Sequence, residues 1–142
     1  MSSLNTESKM DFDYSVGTED RFALRKWFSG FVAAQNKREA EKIISNLEEG
    51  IKIEGLGDSL IGYEACVEFI KQLCAQPKPL LMRYPNVKVK YQHVLFHCRG
   101  SFEGYYDGVL SYDGTFEIKV MKTEEGFKVA QVKFYPRLII KI

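Results

Sequence analysis

The apolar positions along this chain change period once, near residue 84. Before that point they recur at the helical spacing. Leu24, Trp27, Phe28 and Phe31 fall at i, i+3, i+4 and i+7 and form one stripe. Thr18 followed by Glu19 and Asp20 suits the start of this helix, where a side-chain oxygen caps free N–H groups and negative charge is favoured. Asn36, with Glu39 three residues on, resembles a capping pair for a second helix. Ala40, Ile43, Ile44 and Leu47 continue that stripe, and Gly50 ends it. Ile51 and Ile53 then alternate with Lys52 and Glu54, which predicts a short strand. Gly55 and Gly57 break it, and Leu60–Ile61 form a small return strand. Gly62 opens a third helix with the stripe Cys66, Phe69, Ile70 and Leu73, closed by Pro77 and Pro79.

From Tyr84 onward the period is two. Val87, Val89 and Tyr91 alternate with Lys88, Lys90 and Gln92, predicting one long strand that runs to Cys98. Arg99-Gly100-Ser101 reads as a turn. Phe102 to Tyr112 is the next strand, and Asp113-Gly114 is a hairpin signal. Thr115 to Lys122 follows, then a turn over Thr123 to Gly126, then a strand from Phe127 to Tyr135 that the tail Leu138 to Ile140 extends. Helices grouped before strands predict an α+β fold: three helices with a strand pair among them, packed on a curved, mainly antiparallel sheet. A cone of that kind leaves a cavity between the helices and the concave face. Residues 1–17 are polar without a sustained period and read as a flexible arm, leaving 18–142 as a single domain.

Composition narrows the classes. The chain has 142 residues, 45% hydrophobic and 27% charged, which suits one domain with a real core and excludes a disordered chain. Its formal charge of +1 excludes the basic excess of a dedicated nucleic-acid binder. Apolar runs are too short for a membrane helix. The N-terminus lacks a basic start followed by an apolar core, so the expected location is cytoplasmic. Cys66, Cys74 and Cys98 are odd in number and form no Cys-x-x-Cys pair; they read as small buried hydrophobes.

The segment FVAAQNKREAEKIISNLEEGIKIEGLGDSLIGYEACVEFIKQL resembles the first half of the NTF2-like superfamily, which includes SnoaL-like polyketide cyclases and ketosteroid isomerases. The stretches RGSFEGYYDG and MKTEEGFKVAQVKF are similar to the superfamily's later strands, and the likeness covers about residues 20–137. It implies a cone-shaped α+β fold, commonly dimeric through the outer sheet face. In ketosteroid isomerases a carboxylate base ends the first strand, which corresponds to Glu54. The tyrosine and protonated aspartate that hold an oxyanion there correspond to Phe31 and Ile118, and neither of these donates a hydrogen bond. The scytalone-dehydratase branch uses pocket histidines and an aspartate. His93 and His97 lie on a comparable strand.

The residues themselves offer a small set of candidates. His93 and His97 are the only histidines, four apart on one expected strand and so on one face. If that face, with Val87, Val89, Tyr91 and Leu95, is the concave one, both serve as acid or base in a pocket. Val94, Phe96 and Cys98 then form an outer apolar patch that a homodimer would bury. A bulge between Gln92 and Leu95 would invert this facing. Glu54 is a carboxylate at a pocket edge. Asp107 is placed to orient a histidine, or simply to bend the strand with Gly108. Trp27, Phe31, Tyr91 and Tyr105 are candidates to line a site for a flat apolar ligand. Two histidines make a poor metal site, and no third ligand is placed, so neither metal nor cofactor is expected. Two functions fit. One is a pocket protein that binds a small hydrophobic molecule or performs cofactor-free acid–base chemistry on it, by isomerisation, dehydration or cyclisation. The other is a non-catalytic dimeric adaptor whose pocket is plugged by Trp27, Phe31 and Tyr91.

Overall fold

A computed structural model describes residues 6–55 and 59–138. Among the described residues three helices, α1 (Thr18–Asn36), α2 (Ala40–Ile44) and α3 (Tyr63–Cys74), accompany eight strands. The strands are β1 (Lys9–Phe12), β2 (Leu47–Glu54), β3 (Leu60–Ile61), β4 (Leu80–Arg83), β5 (Asn86–Gln92), β6 (Leu95–Tyr106), β7 (Val109–Thr123) and β8 (Gly126–Leu138). They form one sheet in the order β1-β5-β6-β7-β8-β2-β3, with β4 pairing the far end of β6. Strand β1 runs parallel to β5, and β2 parallel to β8; the remaining pairs among the described residues are antiparallel. The architecture is α+β on a large curved sheet, as the grouping of periods predicts.

One face of the sheet is packed and the other is wet. On β6, Phe96, Cys98 and Phe102 are buried; on β7, Phe116, Ile118 and Val120; on β8, Val129, Val132 and Phe134. They meet the stripe Leu24, Phe28 and Phe31 of α1. Tyr84 sits between the layers, its ring edge-on to Phe28 at 5.6 Å and to Phe116 at 4.9 Å. Each such side chain contributes about 1.5–3 kcal/mol by leaving water.

The meander of four long strands is present, but its first two turns fall elsewhere than expected. The first lies at His93 and Val94, both at positive φ (54° and 57°), so Tyr84 to Cys98 is not one strand. A β-branched residue with positive φ is strained, and no glycine or asparagine marks the place. Gly100 is not a turn residue but lies inside β6. A Cβ there would stand 1.8 Å from the Asn86 carbonyl oxygen, so the close approach of β5 demands glycine. The second turn uses Asp107-Gly108 (φ 51° and 75°), the first copy of Tyr-Asp-Gly. The second copy ends at Gly114 inside β7, where a Cβ would meet the Tyr135 carbonyl oxygen at 2.1 Å.

Three further expectations are corrected. The second helix is a single turn and a half, and Leu47 already belongs to β2. Asn46 ends it, accepting the Trp27 indole N–H (3.0 Å) while its own amide donates to the Lys42 carbonyl (2.7 Å); such local side-chain bonds compete with the helix. Asn36 is no cap for α2. It closes α1 and clamps β4 by two bonds to the Met82 backbone, at 2.8 and 2.9 Å. Finally, the expected arm contains β1. The Phe12 ring receives the guanidinium of Arg25 at 5.3 Å, and Arg21 binds the Val16 and Asp13 carbonyls at 2.9 Å, so cation and backbone contacts replace the missing apolar period. The expected break at Gly57 and the strand extension over 139–140 lie outside the described residues.

Candidate functional site

A cavity of about 480 Å³ lies between the helices and the inner face of the sheet. Its position follows from three local choices. Asn36 holds the end of α1 against β4, which sets Phe31 and Gln35 on one wall and Leu80 and Met82 beside them. Gly62, at φ 96°, turns the chain into α3, whose Phe69, Ile70, Leu73 and Cys74 form the opposite wall. The sheet supplies the floor with Ile53, Phe102, Val132 and Phe134. Leu73, Gln76, Pro79 and Pro136 are exposed lining residues and mark the open side.

Few polar groups reach this space. Tyr84, 1% exposed, donates its hydroxyl to Gln35 Oε1 at 2.9 Å. Burial pushes the Tyr84 phenol well above its usual range, so it remains a donor. Gln35 lines the cavity beside it, and its amide carries two N–H donors as well as the oxygen that Tyr84 meets. Arg38 follows the end of α1 with φ 58°. Its Nε donates to the Cys74 carbonyl at 3.0 Å and its Nη2 donates to the Gln76 carbonyl, both at the C-terminal end of α3. Cys74 is half-buried, packed against the core and lining the cavity; burial raises its thiol pKa against the opposing pull of Arg38, so the thiol stays protonated. Tyr106, Tyr112 and, at the open side, Gln76 add to the polar set.

The residues singled out from the sequence fall mostly elsewhere. Of the four aromatic candidates, Phe31 lines the cavity. Trp27 stands behind it, stacked at 5.1 Å and 11°. Tyr91 lies outside the cavity, 41% exposed, against Phe96. Tyr105 points the other way from its lining neighbour Tyr106 and donates to Glu103 at 3.1 Å.

The four acid–base candidates are not brought together, and none lines the cavity. His93 is exposed in the first hairpin turn. The turn inverts the expected facing, so Phe96 and Cys98 point into the core and the outer apolar patch does not exist. Only Val94 of that trio is exposed. His97 lies on the outer face, between Lys90 and Lys119 in the strand register. Its Nε2 is 3.1 Å from the Gln92 carbonyl oxygen, and its buried Nδ1 has no partner. Desolvation lowers its pKa; the Gln92 carbonyl raises it and Lys119 lowers it further. Glu54 ends β2 with Lys133 Nζ at 3.9 Å. Asp107 is exposed in the second turn, which is the strand-bending role weighed for it.

Sequence reasoning passed over Gln35 and Arg38. The signal was present: Gln35 comes four residues after Phe31, a polar residue on a buried stripe. Arg38 was hidden, because it lies beyond the end of α1. No group of three or more His, Cys, Asp or Glu able to hold a metal occurs among the described residues. No helix among them is long and apolar enough to cross a membrane.

No model of a protein family matches the chain, and no curated protein matches it by sequence. Solved structures do match in shape. The chain is similar to an NTF2-like protein of unknown function from Pseudomonas putida, with a TM-score of 0.75 and 10% identity over 89% of this chain and 99% of that one. It is similar to a protein of unknown function with a cystatin-like fold from Nostoc punctiforme, with a TM-score of 0.73 and 9% identity over 87% and 95% of the two chains. A proposed scytalone dehydratase from Novosphingobium aromaticivorans gives a TM-score of 0.68 and 10% identity over 86% and 85%. The fold is therefore the NTF2-like, or cystatin-like, α+β fold. At these identities the likeness carries the fold and no activity.

Proposed function

We propose that this protein binds a small apolar molecule in the cavity between α1, α3 and the sheet. The observation that carries the reading is the cavity itself, about 480 Å³ with an aromatic and aliphatic floor and a few polar groups. That is the usual make-up of a small-molecule site, whose volume runs from about 300 to 1,000 Å³. The acid–base alternative has less support. Among the described lining residues there is no carboxylate and no imidazole, the groups that most often serve as general base near neutral pH, and burial holds the Tyr84 phenol and the Cys74 thiol protonated. The adaptor alternative required a plugged pocket. Phe31 stands in the wall, and Trp27 and Tyr91 do not enter the space. Pairing through the outer sheet face loses its apolar argument, since Phe96 and Cys98 are buried, and rests on the fold likeness alone.

Native mass spectrometry of the gently purified protein tests the reading. A retained small mass, or saturable binding of apolar compounds displaced in competition, is the expected result. A clean protein that binds nothing from a mixed apolar library would overturn it. The same spectra report whether the chain is a dimer.

A further inference from the structure

The cavity has a polarity that its apolar floor does not explain. Arg38 is its one charged lining residue among those described, and it is half-buried beside the exposed rim residue Gln76. No carboxylate pairs with it among the described residues, whereas Arg83, Arg99 and Arg137 each meet one. A guanidinium has five N–H donors. Two are used, on the Cys74 and Gln76 carbonyls, which leaves three without an acceptor among the described residues. The two bonds also fix the group's position, so little side-chain freedom remains to be lost when a ligand arrives.

The backbone adds a second observation. Arg38 sits at φ 58°, just past the end of α1, where glycine or asparagine is the ordinary choice. An arginine there is held against its own preference. Gln35 also lines the cavity, its Oε1 accepting the Tyr84 hydroxyl. Tyr106 and Tyr112 add hydroxyls. Among the described lining residues the one charge is positive, and it stands beside an apolar floor.

We infer that the ligand is an anionic amphiphile: an apolar body seated on Phe31, Phe102 and Phe134, with one terminal carboxylate held by Arg38 at the rim. This rests on the cavity being a binding site. A carboxylate accepts two parallel bonds from a guanidinium, the geometry for which arginine is suited. The apolar body could be a flexible chain or a flat ring, and the choice of probes separates them.

The test compares matched acids and alcohols on the full chain by isothermal titration: decanoate against decanol, and 2-naphthoate against 2-naphthalenemethanol. The expected result is that an acid binds about tenfold or more tightly than its alcohol, as charge-assisted bonds in a half-buried site allow. In Arg38→Gln the ratio of acid to alcohol affinity should fall to about twofold or less. Preference for decanoate over 2-naphthoate assigns the chain-like body, and the reverse assigns the ring. Equal affinity of acid and alcohol in the wild type overturns the inference and leaves the binding cavity standing. An acid preference that survives in Arg38→Gln also overturns it. If none of the four compounds binds, the cavity reading falls and the inference with it. The wild-type comparison needs no variant, so it decides even if Arg38→Gln folds poorly.

Discussion

The two faces of the sheet divide the work of this molecule. On β7 the alternation is plain: Phe116, Ile118 and Val120 point inward and are buried, while Glu117 and Lys119 point outward. On the outer face Glu117 meets Arg99 at 3.2 Å and Lys119 at 3.7 Å, and on β8 Lys133 reaches Glu54. His97 lies in the same layer. Inside there is burial and a cavity whose one charged lining residue among those described is Arg38. Outside are the titratable residues that looked like chemistry in the sequence. A residue type that suits catalysis is not a site until its face is known, and here two residues of turn decide the face.

The contrast can be broken most severely at neighbouring positions on opposite faces. Phe116→Ala removes a buried ring packed on Tyr84 and should cost about 3–5 kcal/mol. Glu117→Ala one residue on removes two partly exposed ion pairs and should cost about 1 kcal/mol or less. Urea unfolding of both variants measures the difference; comparable losses would mean the faces are misassigned. Asn36→Ala strips both side-chain bonds from the Met82 backbone and should cost about 2 kcal/mol, with weaker ligand binding because one cavity wall loosens. Tyr84→Phe keeps the packing but leaves Gln35 Oε1 without its donor, an expected loss of about 1 kcal/mol on thermal unfolding.

The smallest effect concerns His97 on the outer face. Its folded pKa is depressed, so the unfolded chain takes up this proton first. Stability is then present above about pH 6.5 and is lost as pH falls from there towards the folded pKa. Lys90 and Lys119 oppose the charged form, and Glu117 favours it. His97→Gln should flatten the melting temperature between about pH 7 and 5. An unchanged pH profile would show that the unpartnered Nδ1 finds water and costs nothing.

Much of the fold was legible. The helical stripes of α1 and α3, the return strand β3 and the count of four meander strands follow from apolar period, because one-sided burial imposes it. Turn positions were less legible. Arg-Gly and Asp-Gly at 99–100 and 113–114 carry turn chemistry, yet both glycines are there because a neighbouring carbonyl leaves no room for a Cβ. The true first turn, His93-Val94, carries no such signal. Of the site, Phe31 was legible as an aromatic on the α1 stripe. Arg38 was not, because its place depends on the carbonyls of α3, some 36 residues further along the chain.

What this sequence determined alone was local: which segments are helix or strand, that helices precede a sheet, and that a core exists to be buried. Only the tertiary structure decided register, facing and therefore chemistry. Side chains alternate with a period of two along a strand, so one displaced turn moves every following residue to the other face. The glycines at 100 and 114 that resembled turns instead mark the close approach of a neighbouring strand's carbonyl. That is why two histidines that seemed to share a pocket lie outside it, and why an arginine beyond the end of a helix stands at its rim.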